Sequence, residues 1–98
     1  MTIQKQQNGS QLTVHIVGRL DTITAPELEA ELKASLAGID QLSLDFAQLD
    51  YVSSAGLRVL LSAQKQMNQQ GTMVVRHVND AIMEVLEMTG FCDILTIE

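Results

Sequence analysis

The sequence predicts a small α/β fold, a mixed sheet with helices, carried by residues 1–98 as one domain. Three observations predict it. Apolar residues alternate with polar ones in short runs, as in half-buried strands. Between those runs lie stretches with apolar residues at steps of three and four, as in helices. Turn and cap residues separate the two kinds, in the order β-β-α-β-α-β-α-β. Strands alternating with helices imply parallel pairing through right-handed crossovers, and an opening hairpin makes the sheet mixed.

The first strand, Thr2 to Gln7, is polar and reads as an edge strand. Asn8-Gly9 follows, two residues that tolerate the positive φ a type I′ hairpin turn needs at both central positions. Leu12, Val14 and Ile16 then alternate with Thr13 and His15 in the second strand. Gly18-Arg19-Leu20-Asp21-Thr22 leads to a helix whose start has capping-box spacing, Thr24 to Glu27, with Pro26 in the first turn. Leu28, Leu32 and Leu36 form its apolar stripe, and Gly38 stops it.

Leu42, Leu44 and Phe46 mark a third strand. A helix from about Ala55 to Gln70 carries Leu57, Leu60, Leu61 and Met67 on its buried side, and Gly71 closes it. Met73-Val74-Val75 reads as a strand. Asn79 or Asp80 caps a third helix bearing Ile82, Val85 and Leu86, which Thr89-Gly90 ends. Ile94-Leu95-Thr96-Ile97 is the last expected strand.

Composition narrows the function. A chain of 98 residues can bury a core without staples. With 3% aromatics, that core is aliphatic, helped by five methionines. One cysteine, Cys92, permits no intrachain disulfide. No apolar run approaches the ~20 residues of a membrane span, and the N-terminus lacks a signal-peptide pattern. A cytoplasmic protein without membrane insertion is expected. The six basic residues are scattered and outnumbered by twelve acidic ones, a net charge of −6, so a nucleic-acid partner is not expected.

An enzyme is not expected either. His15 and His77 fall singly in expected strands and read as polar-face residues. No Cys/His cluster suggests a metal, and no glycine-rich phosphate loop suggests a nucleotide cofactor. Ser54-Ala55-Gly56 fails as a nucleophile elbow, because Val52 stands where that motif requires glycine. No catalytic residue, metal or cofactor is assigned.

Leu49-Asp50-Tyr51-Val52-Ser53-Ser54-Ala55-Gly56-Leu57-Arg58 couples a short strand to a helix through two serines and a glycine. Ser53 or Ser54 is an N-cap, worth ~1 kcal/mol. Gly56 permits close packing, and Leu57 belongs to the core. Arg58, one turn in, either meets a partner or is solvated.

The stretch Val52-Ser53-Ser54-Ala55-Gly56-Leu57 resembles the signature of the STAS domain family, named for sulphate transporters and anti-sigma factor antagonists. Gly18-Arg19-Leu20-Asp21 is similar to that family's Gly-x-Leu-Asp, and Met88-Thr89-Gly90-Phe91 to the end of its third helix. The resemblance covers essentially the whole chain. It implies an anti-sigma factor antagonist acting by partner switching. The unphosphorylated form binds an anti-sigma factor with serine kinase activity and frees the sigma factor; phosphorylation of one serine ends binding, and a serine phosphatase resets it. The family's phosphorylated position falls on Ser54, with Ser53 as second choice because Ser53 stands where several members have Asp. The implied partner surface comprises Asp21, Thr22, Ser53, Ser54, Ala55, Gly56 and Arg58; Asp21 reads equally as a loop residue that bonds nearby backbone N–H groups. Two other readings of the same resemblance are a non-switching scaffold subunit of a lipid-transport ATPase and a nucleotide-binding domain; the missing phosphate loop ranks the latter last.

Overall fold

The computed structural model describes all 98 residues. Strand β1 (Thr2–Asn8) and strand β2 (Gln11–Leu20) form the antiparallel opening hairpin. Asn8 pairs with Gln11, so the two turn residues are Gly9 and Ser10. The turn thus lies one residue later than expected. Gly9 alone supplies a positive φ, 63°, while Asn8 stays in the strand.

Helix α1 (Ala25–Ser35) crosses from β2 to the parallel strand β3 (Gln41–Asp45). Strand β4 (Leu49–Val52) follows directly. Helix α2 (Ser54–Gln70) then leads to strand β5 (Thr72–Arg76), parallel to β3. Helix α3 (Asp80–Met88) packs near β4, and a 3-10 turn at Phe91–Asp93 ends the regular structure. The strand order is β1-β2-β3-β5, with β4 also pairing to β2. No helix is long and apolar enough to cross a membrane.

The expected element order changes at two places. One expected strand between α1 and α2 is in fact two, separated by a turn at Phe46–Gln48. The Asp45 carboxylate accepts from the Ala47 N–H (2.9 Å), and the Leu49 N–H donates to the Phe46 carbonyl (3.0 Å). Beyond that turn, β4 pairs with the last residues of β2, where the register shifts between Gly18 and Arg19. The expected C-terminal strand is reduced to one bridge, Val75 with Ile97. The turn after α3 uses the chain as far as Leu95, whose N–H donates to the Phe91 carbonyl, so only Thr96–Glu98 remain to meet β5.

The core forms on one face of the sheet. Leu12, Val14 and Ile16 of β2, Leu42 and Leu44 of β3, and Met73 and Val75 of β5 are buried together with Leu28, Leu32, Leu57, Leu60, Met67, Ile82 and Leu86 of the helices. Alternate residues of the same strands, Thr13, His15, Ser43, Asp45 and Val74, are half-buried on the opposite face. Helices α1 and α2 pack on one another. That contact explains why Val59 and Ala63 are buried although neither was expected in the core, while Leu61 is only half-buried.

Candidate functional site

The site grows from the C-terminal ends of β2 and β4. The Ser53 N–H donates to the Leu20 carbonyl (2.9 Å), which fastens the start of α2 to the end of β2. Leu20 and Val52 are both buried there. Gly56 presses onto them: a Cβ on Gly56 would lie 2.7 Å from Leu20 Cγ and 3.0 Å from Val52 Cγ2. The glycine between Ala55 and Leu57 is therefore a contact requirement. Leu57 is core, as expected.

This close approach decides between the two serines. Ser53 has extended backbone and is the N-cap, its hydroxyl accepting from the Gly56 N–H at 3.3 Å. Ser54 is the first residue of α2 and is exposed. Its hydroxyl makes no hydrogen bond within the chain. The first turn of α2 carries no acidic residue, so its unpaired N–H groups and positive dipole end are not neutralised. Arg58, also exposed, follows one turn later on the side of the helix that carries Ser54, since residues four apart are neighbours.

A groove of about 340 Å³ runs between the starts of α1 and α2, lined by Thr22, Ala25, Pro26, Ala55, Arg58 and Val59. The structure thus brings Thr22, Ala55 and Arg58 to one surface. Ser53 and Gly56 lie beneath it as scaffold. Asp21 turns inward on its own loop: its Oδ1 accepts from the Ile23 and Thr24 N–H groups, both at 3.0 Å. The Thr24 N–H, opposed by burial and helped by the Ile23 N–H, holds the Asp21 carboxyl below the usual carboxylate range. Arg19 lies 3.8 Å from Asp21 and stacks over the Tyr51 ring at 4.2 Å.

The expected capping box does not form. Thr24 is the N-cap of α1, but its side chain makes no cap bond. Its hydroxyl instead donates to the Arg19 carbonyl (2.8 Å) and accepts from the Asp21 N–H (2.8 Å). The loop competes successfully for a hydroxyl that Glu27 would otherwise share.

A second polar cluster escaped sequence reasoning. Asp45 Oδ1 is hydrogen-bonded to His77 Nδ1 (3.0 Å), and its Oδ2 lies 3.2 Å from His15 Nδ1. His77 lies just past β5, outside the strand expected to hold it, and adopts a positive φ of 60°. The two histidines are joined by one carboxylate on the open face of the sheet. His15 and Asp45 are direct partners in the β2–β3 register, so strand pairing would have shown half of the cluster. No grouping of His, Cys, Asp and Glu has the geometry to hold a metal ion.

A family model described as "Mlab, STAS domain" matches residues 3–96. The chain belongs to the STAS domain family. A candidate anti-sigma factor antagonist of Bordetella bronchiseptica, BtrV, is 42% identical over 82 residues, covering 82% of this chain and 71% of that protein. Among solved structures, an anti-sigma factor antagonist from Mycobacterium paratuberculosis superposes with a TM-score of 0.88 at 22% identity, covering 98% of this chain and 83% of that one. The Bacillus cell fate determinant SpoIIAA in its phosphorylated form gives 0.77 at 13% identity, covering 99% and 91%. These distant structures share the STAS fold seen here: three helices and a five-stranded mixed sheet.

Proposed function

We propose that this STAS domain is a cytoplasmic anti-sigma factor antagonist, a regulatory binding module that acts by partner switching. Its unphosphorylated form binds an anti-sigma factor that is also a serine kinase. Phosphorylation of Ser54 ends that complex, and a serine phosphatase restores it. The names of the relatives support the antagonist role. The observation that carries the switch is the division of labour between the serines. Ser53 spends its hydroxyl on the helix cap, while Ser54 stands exposed with its hydroxyl unbonded.

The physics is one-sided. A phosphate brings about −1.5 to −2 charges. At Ser54 it meets the positive end of α2, with no acidic neighbour in the first turn, so the fold accommodates it. A protein surface closed over Ser54 would have to desolvate that dianion or oppose it with its own acidic groups. Like-charge contact across an interface costs several kcal/mol. About 3 kcal/mol is a loss of roughly 150-fold in affinity.

The test is phosphorylation in vitro by a kinase-type anti-sigma factor from the same organism, read by intact mass and peptide mapping. One added phosphate, about 80 Da, is expected on Ser54 and absent from Ser54→Ala. Ser53→Ala should still be phosphorylated while losing about 1 kcal/mol of stability. Tight binding of the kinase without phosphate transfer would refute the switch.

A second reading is a non-switching subunit that braces a lipid-transport ATPase. It is favoured by the description of the matching family, which carries the name Mlab rather than that of an antagonist. Co-purification with a transporter ATPase, together with unmodified Ser54 across growth and stress conditions, would establish it.

A further inference from the structure

The sheet has two outer edges, and they end differently. The edge of β5 is covered at its end, where the Val75 N–H donates to the Thr96 carbonyl and the Glu98 N–H donates to the Val75 carbonyl. The edge of β1 has no such cover. An open edge is a template for another strand, and natural sheets guard it with proline, a bulge, a projecting charge or an overlying segment.

Strand β1 carries none of these guards in working order. Thr2–Asn8 contains no proline. Its register with β2 runs unbroken from Thr2↔Val17 to Asn8↔Gln11, so it has no bulge. Its one charge, Lys5, is folded away onto α1, with the ammonium 2.8 Å from Glu31 Oε2 and donating to Ser35 Oγ at 3.0 Å. Every residue of the strand except Ile3 is exposed, so no helix overhangs the edge. The net charge of −6 opposes self-association, yet no Asp or Glu lies on β1.

The hairpin fixes which groups of that edge are free. A two-residue loop is closed by a hydrogen-bonded pair, here Asn8 with Gln11. Pairs alternate along an antiparallel ladder, so Thr2, Gln4 and Gln6 bond β2 while the backbone groups of Ile3, Lys5 and Gln7 point outward. A second β1, running antiparallel about a two-fold axis at Gln4, meets those groups in register. Ile3 then exchanges hydrogen bonds with the partner's Lys5, and Lys5 with the partner's Ile3. Gln4 faces the partner's Gln4, and an amide both donates and accepts. Thr2 faces the partner's Gln6. An axis at Lys5 would instead set two lysines directly opposite, which like charge disfavours.

We propose that β1 is a self-association edge. Two copies of this chain join through β1, antiparallel about Gln4, into one continuous sheet with five strands from each copy and all helices on one side. The Ser54 turn follows β4, which lies on the other edge of β2, so it stays open in the dimer. One strand pair covers less than the roughly 1,200 Å² of a stable interface. The dimer therefore forms at high protein concentration.

The test is sedimentation velocity of the full chain from micromolar to millimolar concentration. The wild type should shift from monomer to dimer. Gln4→Glu and Gln4→Lys should each weaken association about fivefold or more, because each sets like charges opposite across the axis. An equimolar mixture of the two variants should associate again, which also shows that both chains are folded. Amide exchange by NMR should slow at Ile3, Lys5 and Gln7 as concentration rises, and stay constant at Gln4 and Gln6. A wild type that stays monomeric at every concentration would overturn the proposal. So would a dimer that both Gln4 variants form within about twofold of the wild type.

Discussion

Asp45 ties together three parts of the chain, since His15 comes from β2, Asp45 from β3 and His77 from the segment after β5. Burial raises the pKa of this carboxyl, but the Ala47 N–H and the two imidazoles outweigh it and leave the value below its ordinary 3.8. A carboxyl depressed on folding stabilises the fold at pH above its unfolded value. That contribution is lost as pH falls through the lower, folded value. Asp45→Asn should therefore cost about 1–2 kcal/mol at pH 7. It should also lose less than the wild type on acidification from pH 5 to about pH 3. Urea midpoints at several pH values measure both; equal acid losses in the two proteins would contradict the assignment. The cluster was invisible as a constellation because His77 reaches Asp45 through a positive φ, which no pattern of apolar residues reports.

At the level of elements, α2 is the piece that joins core to surface. Its buried side packs against the sheet and α1, and its first turn displays Ser54. Gly56 lets that turn descend onto Leu20. Two effects oppose each other in Gly56→Ala. Helix propensity gains about 1 kcal/mol. Overpacking costs typically 1–3 kcal/mol, and here the obstacle is the branch carbon of a fully buried leucine at 2.7 Å, not a mobile side-chain end. Overpacking should win, so Gly56→Ala should lower the denaturation midpoint. A midpoint at or above that of the wild type would show that the helix can back away from β2. The helix and its stripe were legible from the leucine spacing. The burial of Val59 and Ala63 was not, because it depends on where α1 lies.

Across the whole molecule, the sheet is unevenly protected. Strand β2 is paired on both sides, to β1 along one edge and to β3 and then β4. Strand β1 is paired to β2 alone and is exposed along most of its length. The free edge of β5 is only pinned, by the Val75 N–H to the Thr96 carbonyl and the Glu98 N–H to the Val75 carbonyl, both 2.9 Å. Amide exchange followed by NMR should be slowest in β2 and β3 and fastest in β1 and at Thr96–Glu98, since local opening follows contact density. Uniform protection across the five strands would refute this ordering.

The fold class, the starts of α2 and α3 to within one residue, and the serine-rich turn as the surface of interest could all be read from the amino-acid order alone. Each of these depends on local chemistry: alternation, capping oxygens and short motifs within a few residues. The three-dimensional structure settled which serine is free and which of the two readings of Asp21 holds, and it alone showed that Ile23 stands exposed and that β3 and β4 are separate. The split of β3 from β4 follows from pairing with the distant strand β2, whereas the Asp21 loop and the Ser53 cap close within three residues through choices of acceptor that residue spacing leaves open. The approach of Gly56 to Leu20 and the Ser53 bond to Leu20 set the geometry of the site, and neither is encoded in the spacing of nearby residues.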